Sequence, residues 1–138
     1  MRSGTYKHIE QILMDHPYIE RYIKEREDEI SYPYIQRDAN VGGGKAQYKN
    51  NEGTAMMAIT IASDKEINFL RFTKQMVDEC VNETDPETLS IITELYFKKN
   101  RSLTLTGLSQ KLNLSRSQIA RKRSDFFEQV ALKLGFPD

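Results

Sequence analysis

Between Leu105 and Leu134 the apolar residues fall into two helical sets separated by one short break. Leu105, Leu108 and Leu112 form the first set; Ile119, Phe126, Phe127, Val130, Ala131 and Leu134 form the second. Steps of three, four and seven put each set on one face of an α-helix. The break, Asn113–Leu114–Ser115, is too short for anything but a tight turn. Asparagine is one of the few residues other than glycine that enters the left-handed region, and serine is a preferred helix N-cap. Thr104 or Thr106 can cap the first helix, and Gly135–Phe136–Pro137 ends the second. Two helices joined so closely must cross and share an apolar seam, so the expectation is a helix-turn-helix at about 104–134.

The rest of the chain also reads as helix, and the fold class expected is all-α: helical N-terminal and central segments with a C-terminal helix-turn-helix. Residues 1–35 form an N-terminal helical segment, with Ile9, Ile12, Leu13, Ile19, Ile23 and Ile30 at helical intervals. Pro17 predicts a kink or restart, because the residue before a proline avoids the α region. Residues 36–53 form a linker or loop, with four glycines, three asparagines and no apolar period. Residues 54–138 form a helical domain that carries the helix-turn-helix. Its first stretch, Thr54 to Ser63, is apolar nearly all round, as a helix buried in the core or against a second chain would be. Ser63 or Asp64 can cap the next helix, whose stripe is Ile67, Leu70, Met76, Val77, Cys80 and Val81. Asp85 before Pro86 marks a further helix start. No segment sustains strand alternation.

Several function classes lose support here. The two histidines, His8 and His16, have no carboxylate cluster near them in sequence, so neither a metal site nor a hydrolase is expected. The three glycines before Lys45 lack the following Ser or Thr of a phosphate-binding loop. Cys80 is the single cysteine, which suits a packed thiol and a reducing, cytoplasmic setting in a bacterial host cell. No signal peptide and no apolar run of membrane-spanning length is visible. No cofactor, no catalytic residue and no membrane partner are expected.

Charge points to a partner. The chain has no net charge, yet Leu95 to Ser124 holds eight Lys and Arg and no acid, while Ala62 to Glu94 holds eight acids against three bases. An acid-free basic stretch that coincides with a helix-turn-helix suits double-stranded DNA. The N-terminal half of the second helix would enter the major groove. Ser115, Arg116, Ser117, Gln118, Arg121 and Lys122 are therefore the candidate base readers, since Arg forks onto guanine and Gln onto adenine. Lys98, Lys99, Arg101, Thr104, Thr106 and Lys111 are the candidate phosphate contacts. The acidic helices before the basic stretch are expected to face away from it. The apolar excess before Asn82 predicts a homo-oligomer.

"TLTGLSQKLNLSRSQIARKRSDFFEQVALKLG" resembles the C-terminal motif of small phage late-transcription activators of the RinA and ArpU type. It is also similar to region 4 of sigma factors. The resemblance implies a sequence-specific activator of phage late genes, binding upstream of the late promoter and recruiting host RNA polymerase. An apolar residue is common in such motifs where Lys122 falls, which implies a slight roll of the helix, with Ala120 and the stem of Arg123 helping to pack. A small terminase-like DNA-packaging adaptor is the alternative, because it too pairs such a motif with an oligomerising helical region.

Overall fold

The computed structural model describes residues 1–32 and 50–137. Every regular element among them is helical: α1 (Ser3–Asp15), a 3-10 turn (His16–Tyr18), α2 (Ile19–Ser31), α3 (Asn50–Ser63), α4 (Lys65–Glu83), α5 (Pro86–Ile92) continued by a π turn (Thr93–Phe97), α6 (Leu105–Leu112) and α7 (Arg116–Leu134). The fold class is all-α. The glycine-rich stretch preceding Lys45 lies outside the described residues, as does most of the expected linker. From Asn50 onward the chain is already helical, so the last residues assigned to that linker belong to α3.

The chain divides into two units, Met1–Tyr18 with Thr73–Asp138, and Ile19–Phe72. In the second, α2, α3 and the start of α4 bury Ile19 and Ile67. Asp64 sits between α3 and α4 and accepts the Ile67 N–H at 2.9 Å, the N-cap expected there. The Arg26 guanidinium also bonds Asp64 through two nitrogens at 2.9 and 3.2 Å and holds its carboxyl below the usual carboxylate range. The apolar stretch in α3 departs from expectation. None of its described side chains is buried, and Met56 and Ile59 are 62% and 61% exposed. Phe69 and Phe72 of α4 are exposed as well.

The first unit holds the larger core. Ile9, Ile12 and Leu13 of α1 pack with Val77 and Cys80 of α4, Ile92 and Tyr96, and Phe126, Phe127, Val130 and Ala131 of α7. Phe127 is fully enclosed, with the Tyr6 and Tyr96 rings 4.6 and 5.6 Å from its own. The Tyr96 hydroxyl donates to Glu10 at 2.8 Å, and burial, then that bond, pushes its pKa up. Burial pushes the Cys80 thiol up to about 11, so it is an inert core group. His16 bonds Asp78 at 2.7 Å and stacks on Phe97, while His8 stacks on Phe136. Among the described residues no group of His, Cys, Asp and Glu can hold a metal ion, and no helix is long and apolar enough to cross a membrane.

One wide turn distributes α5 between two cores. The Lys98 N–H reaches back five residues to the Thr93 carbonyl at 3.0 Å, the spacing of a π turn. Before and through it, Ile92 and Tyr96 enter the larger core, whereas Ile91 enters a second one with Leu108 and Ile119. Leu95 packs against both. The α6–α7 pair is thereby seated on α5.

Candidate nucleic-acid interface

Local chemistry fixes both ends of the turn between α6 and α7. The Thr104 hydroxyl accepts the Gly107 N–H at 3.1 Å and starts α6. Asn113 ends it with φ 57° and ψ 41°, the left-handed conformation anticipated for it. Ser115 starts α7 with a capping box: its hydroxyl accepts the Gln118 N–H at 3.0 Å, and the Gln118 amide oxygen accepts the Ser115 N–H at 2.8 Å. Ser109 latches the turn. Its hydroxyl donates to the Leu114 carbonyl, and its carbonyl accepts the Leu114 N–H. Beneath the turn Leu108 and Ile119 are fully buried, walled by Leu103, Leu105, Leu112 and Leu114.

This seam leaves the N-terminal half of α7 in solvent. Ser115, Arg116, Ser117, Gln118 and Arg121 are all exposed. At about 100° per residue, Ser117, Arg121 and Ser124 lie along one stripe. Lys98, Lys99, Arg101, Thr104, Thr106 and Lys111 are exposed too. Two commitments separate these residues, however. The oxygen of the Thr104 hydroxyl serves the cap, and so does the amide oxygen of Gln118, so a forked contact from Gln118 to adenine would compete with the capping box.

The cations divide into four groups. Lys98 and Lys111 converge on one oxygen of Glu94, at 2.5 and 3.0 Å. The Glu94 side chain is 11% exposed, and the hydrogen bonds from Lys98, then Lys111, hold its carboxyl below the usual range. Lys122 is half-buried and lies 3.6 Å from Asp85 and 3.4 Å from Glu87. Arg123 is half-buried, its guanidinium 5.7 Å from the Tyr6 ring centroid. Lys99, Arg101, Arg116 and Arg121 form no ion pair among the described residues.

The expectation that the acids preceding the basic stretch face elsewhere is therefore corrected for three of them. Asp85 and Glu87 turn toward Lys122 because α5 packs against α7, and Glu94 of the π turn meets Lys98 and Lys111. The stretch without acids in sequence is not without acids in space. Other acids of α4 are engaged elsewhere: Glu79 and Glu83 bind Lys133 at 3.2 and 3.1 Å, and Asp78 binds Lys74 and His16. Along α7 itself the sign reverses after Arg121, where exposed Asp125 and Glu128 follow. The exposed charge of α7 is thus positive over its first two turns and negative over the next two.

A family described as "Protein of unknown function (DUF722)" matches residues 5–132. The chain is also similar to the "Transcriptional activator rinA" of Staphylococcus phage phi11, with 24% identity over 137 residues, covering 98% of this chain and 94% of that protein. No solved structure matches it.

Proposed function

The chain belongs to the DUF722 family, and on that premise we propose that it is a DNA-binding transcription activator of a bacteriophage, acting at late genes. One observation carries the reading. A capped helix that follows another after a short turn presents Arg116, Ser117 and Arg121 to solvent, the two arginines without ion-pair partners among the described residues, in a chain similar over 98% of its length to a phage transcriptional activator. Arg116 and Arg121 read base edges in the major groove, Ser115 and Ser117 bond phosphate or base edges, and Gln118 stays with its cap. Lys99 and Arg101 supply phosphate contacts outright; Lys98 and Lys111 do so as a pair that shares one counter-charge. Lys122 positions α7 through Asp85 and Glu87 and makes no base contact.

The exposed Met56, Ile59, Phe69 and Phe72 support self-association through the Ile19–Phe72 unit, so that paired motifs read paired half-sites. The protein has no catalytic role in this reading. It binds upstream of a promoter and recruits host RNA polymerase through a surface other than the one on the duplex.

A footprint on phage DNA, followed by gel-shift titration, tests the assignment. Arg116→Ala and Arg121→Ala should each cost about 1–3 kcal/mol on the footprinted site and relax preference at one position. A double variant that binds that site like the parent would remove both arginines from the interface. A footprint at a packaging site in place of a promoter would redirect the reading to the adaptor function. Sedimentation that shows only monomer at tens of micromolar, with and without duplex, would remove the paired half-sites.

A further inference from the structure

We propose that Glu94 is an internal counter-ion of the DNA-facing surface, set to subtract one positive charge from its hold on any duplex. The inference rests on the DNA-binding reading above and adds to it a residue outside the basic stretch. Three observations support it. Glu94 is the last acid before the acid-free segment, and its side chain is 11% exposed, so little water screens it. One of its oxygens takes both Lys98 and Lys111, which come from different elements, the end of the π turn and α6. The Lys98 and Lys111 side chains remain 49% and 54% exposed, so a phosphate can reach them while Glu94 pairs with both.

The arithmetic is simple. Lys98 and Lys111 together offer two charges, and Glu94 leaves one. Each phosphate neutralised releases about 0.9 of a counterion, so at about 0.1 M salt one contact is equivalent to roughly an eightfold change in affinity. A carboxylate between two lysines therefore weakens binding to every sequence by about that factor. It acts on the time spent on non-target DNA without touching the base-reading residues. If the role of Glu94 were only to fasten α6 to the π turn, removing its charge would loosen the motif and weaken binding instead. The two roles predict opposite signs.

The test is a gel-shift and salt titration of full-length Glu94→Gln on the footprinted duplex and on an unrelated duplex, with circular dichroism as the check of folding. Glutamine keeps the shape and an acceptor oxygen. Affinity for both duplexes should rise about eightfold at about 0.1 M salt, and the slope of log affinity against log salt should steepen by about 0.9. Equal or weaker binding by a folded Glu94→Gln protein overturns the inference and leaves the DNA-binding reading intact. A parent protein that binds no duplex overturns both. Should Glu94→Gln not fold, the comparison moves to methionine variants. The triple variant Glu94→Met, Lys98→Met, Lys111→Met leaves no charge unpaired and should bind about eightfold tighter than Lys98→Met, Lys111→Met with Glu94 kept. Equal affinity of those two overturns the inference.

Discussion

On the DNA-binding reading proposed above, Gln118→Glu should move stability and affinity for DNA in opposite directions. The first turn of α7 holds no acid, so the partial positive charge of the helix end is uncompensated. Gln118 already stands at the third helical position with its side-chain oxygen 2.8 Å from the Ser115 N–H. A glutamate there keeps that bond, makes it charge-assisted and meets the helix dipole. The expected gain in stability is about 0.3–1 kcal/mol at low ionic strength. Ser115→Ala, which removes the other half of the box, should instead cost about 1 kcal/mol. In the proposed complex the same carboxylate would face phosphate. At about 6 Å in water each unit charge pair is worth roughly 0.7 kcal/mol, and two or three phosphates lie within a Debye length, so the penalty is about 1–2 kcal/mol. Affinity should fall roughly 5- to 30-fold on target and unrelated duplex alike, with a salt slope shallower by about 0.9. Chemical denaturation followed by circular dichroism measures the first effect, and gel-shift titration the second. A Gln118→Glu protein that is more stable and binds DNA like its parent would show that the start of α7 does not face the duplex.

Four further outcomes follow from the same geometry. Phe127→Ala, which empties the position between the Tyr6 and Tyr96 rings, should cost about 3–5 kcal/mol in denaturant unfolding. Gly135→Ala should cost about 1 kcal/mol, because Gly135 ends α7 at φ 82°, where a side chain is strained; a neutral result would remove that cap from the account. Cys80 should resist thiol-labelling reagents in the native protein and react once it is unfolded, since its thiol is buried and pushed up to about 11. Acidification should destabilise the protein: Asp64, Asp85 and Glu94 are held below their ordinary values by Arg26, by Thr88, and by Lys98 and Lys111 respectively. Their folded pKa values lie under the unfolded ones, so this stability is complete above the ordinary range and is lost as pH falls through the lowered folded values; denaturation midpoints should hold down to about pH 5 and drop below about pH 4.

What sequence reveals about this chain is whatever neighbours in sequence decide. Thr104, Asp85 and Ser115 start helices where their own chemistry predicts, Asn113 turns left-handed, and the 3-10 turn falls at Pro17. Each outcome depends on a bond or clash a few residues long. The apolar positions of α7 are likewise those its period marks, with Ile119, Phe126, Phe127, Val130 and Ala131 buried. Long-range placement was not legible. Glu94 is seventeen residues from Lys111, and Asp85 and Glu87 are farther still from Lys122. No local pattern announces that packing α5 on α7 would bring acids under an acid-free segment. The exposure of α3 was hidden for the same reason, since an apolar composition gives no information about what covers it. Ser109 illustrates a third case. Nothing in the local sequence pairs its hydroxyl with the Leu114 carbonyl, which the left-handed turn at Asn113 brings to it.

The π turn at Thr93–Phe97 has a consequence for how this chain tolerates changes in length. The turn is the end of its helix, since Lys98 is already extended, and its few residues place Glu94 against two lysines and Tyr96 in the core. Loss of one residue there would re-aim those side chains and take Tyr96 from Phe127 and from its bond to Glu10. The same loss in α7 ahead of Phe126 would rotate everything beyond it by about 100° and take Phe126, Phe127 and Val130 out of the core. A one-residue gap is borne best at Asn100 or Ser102, which are exposed and belong to no regular element.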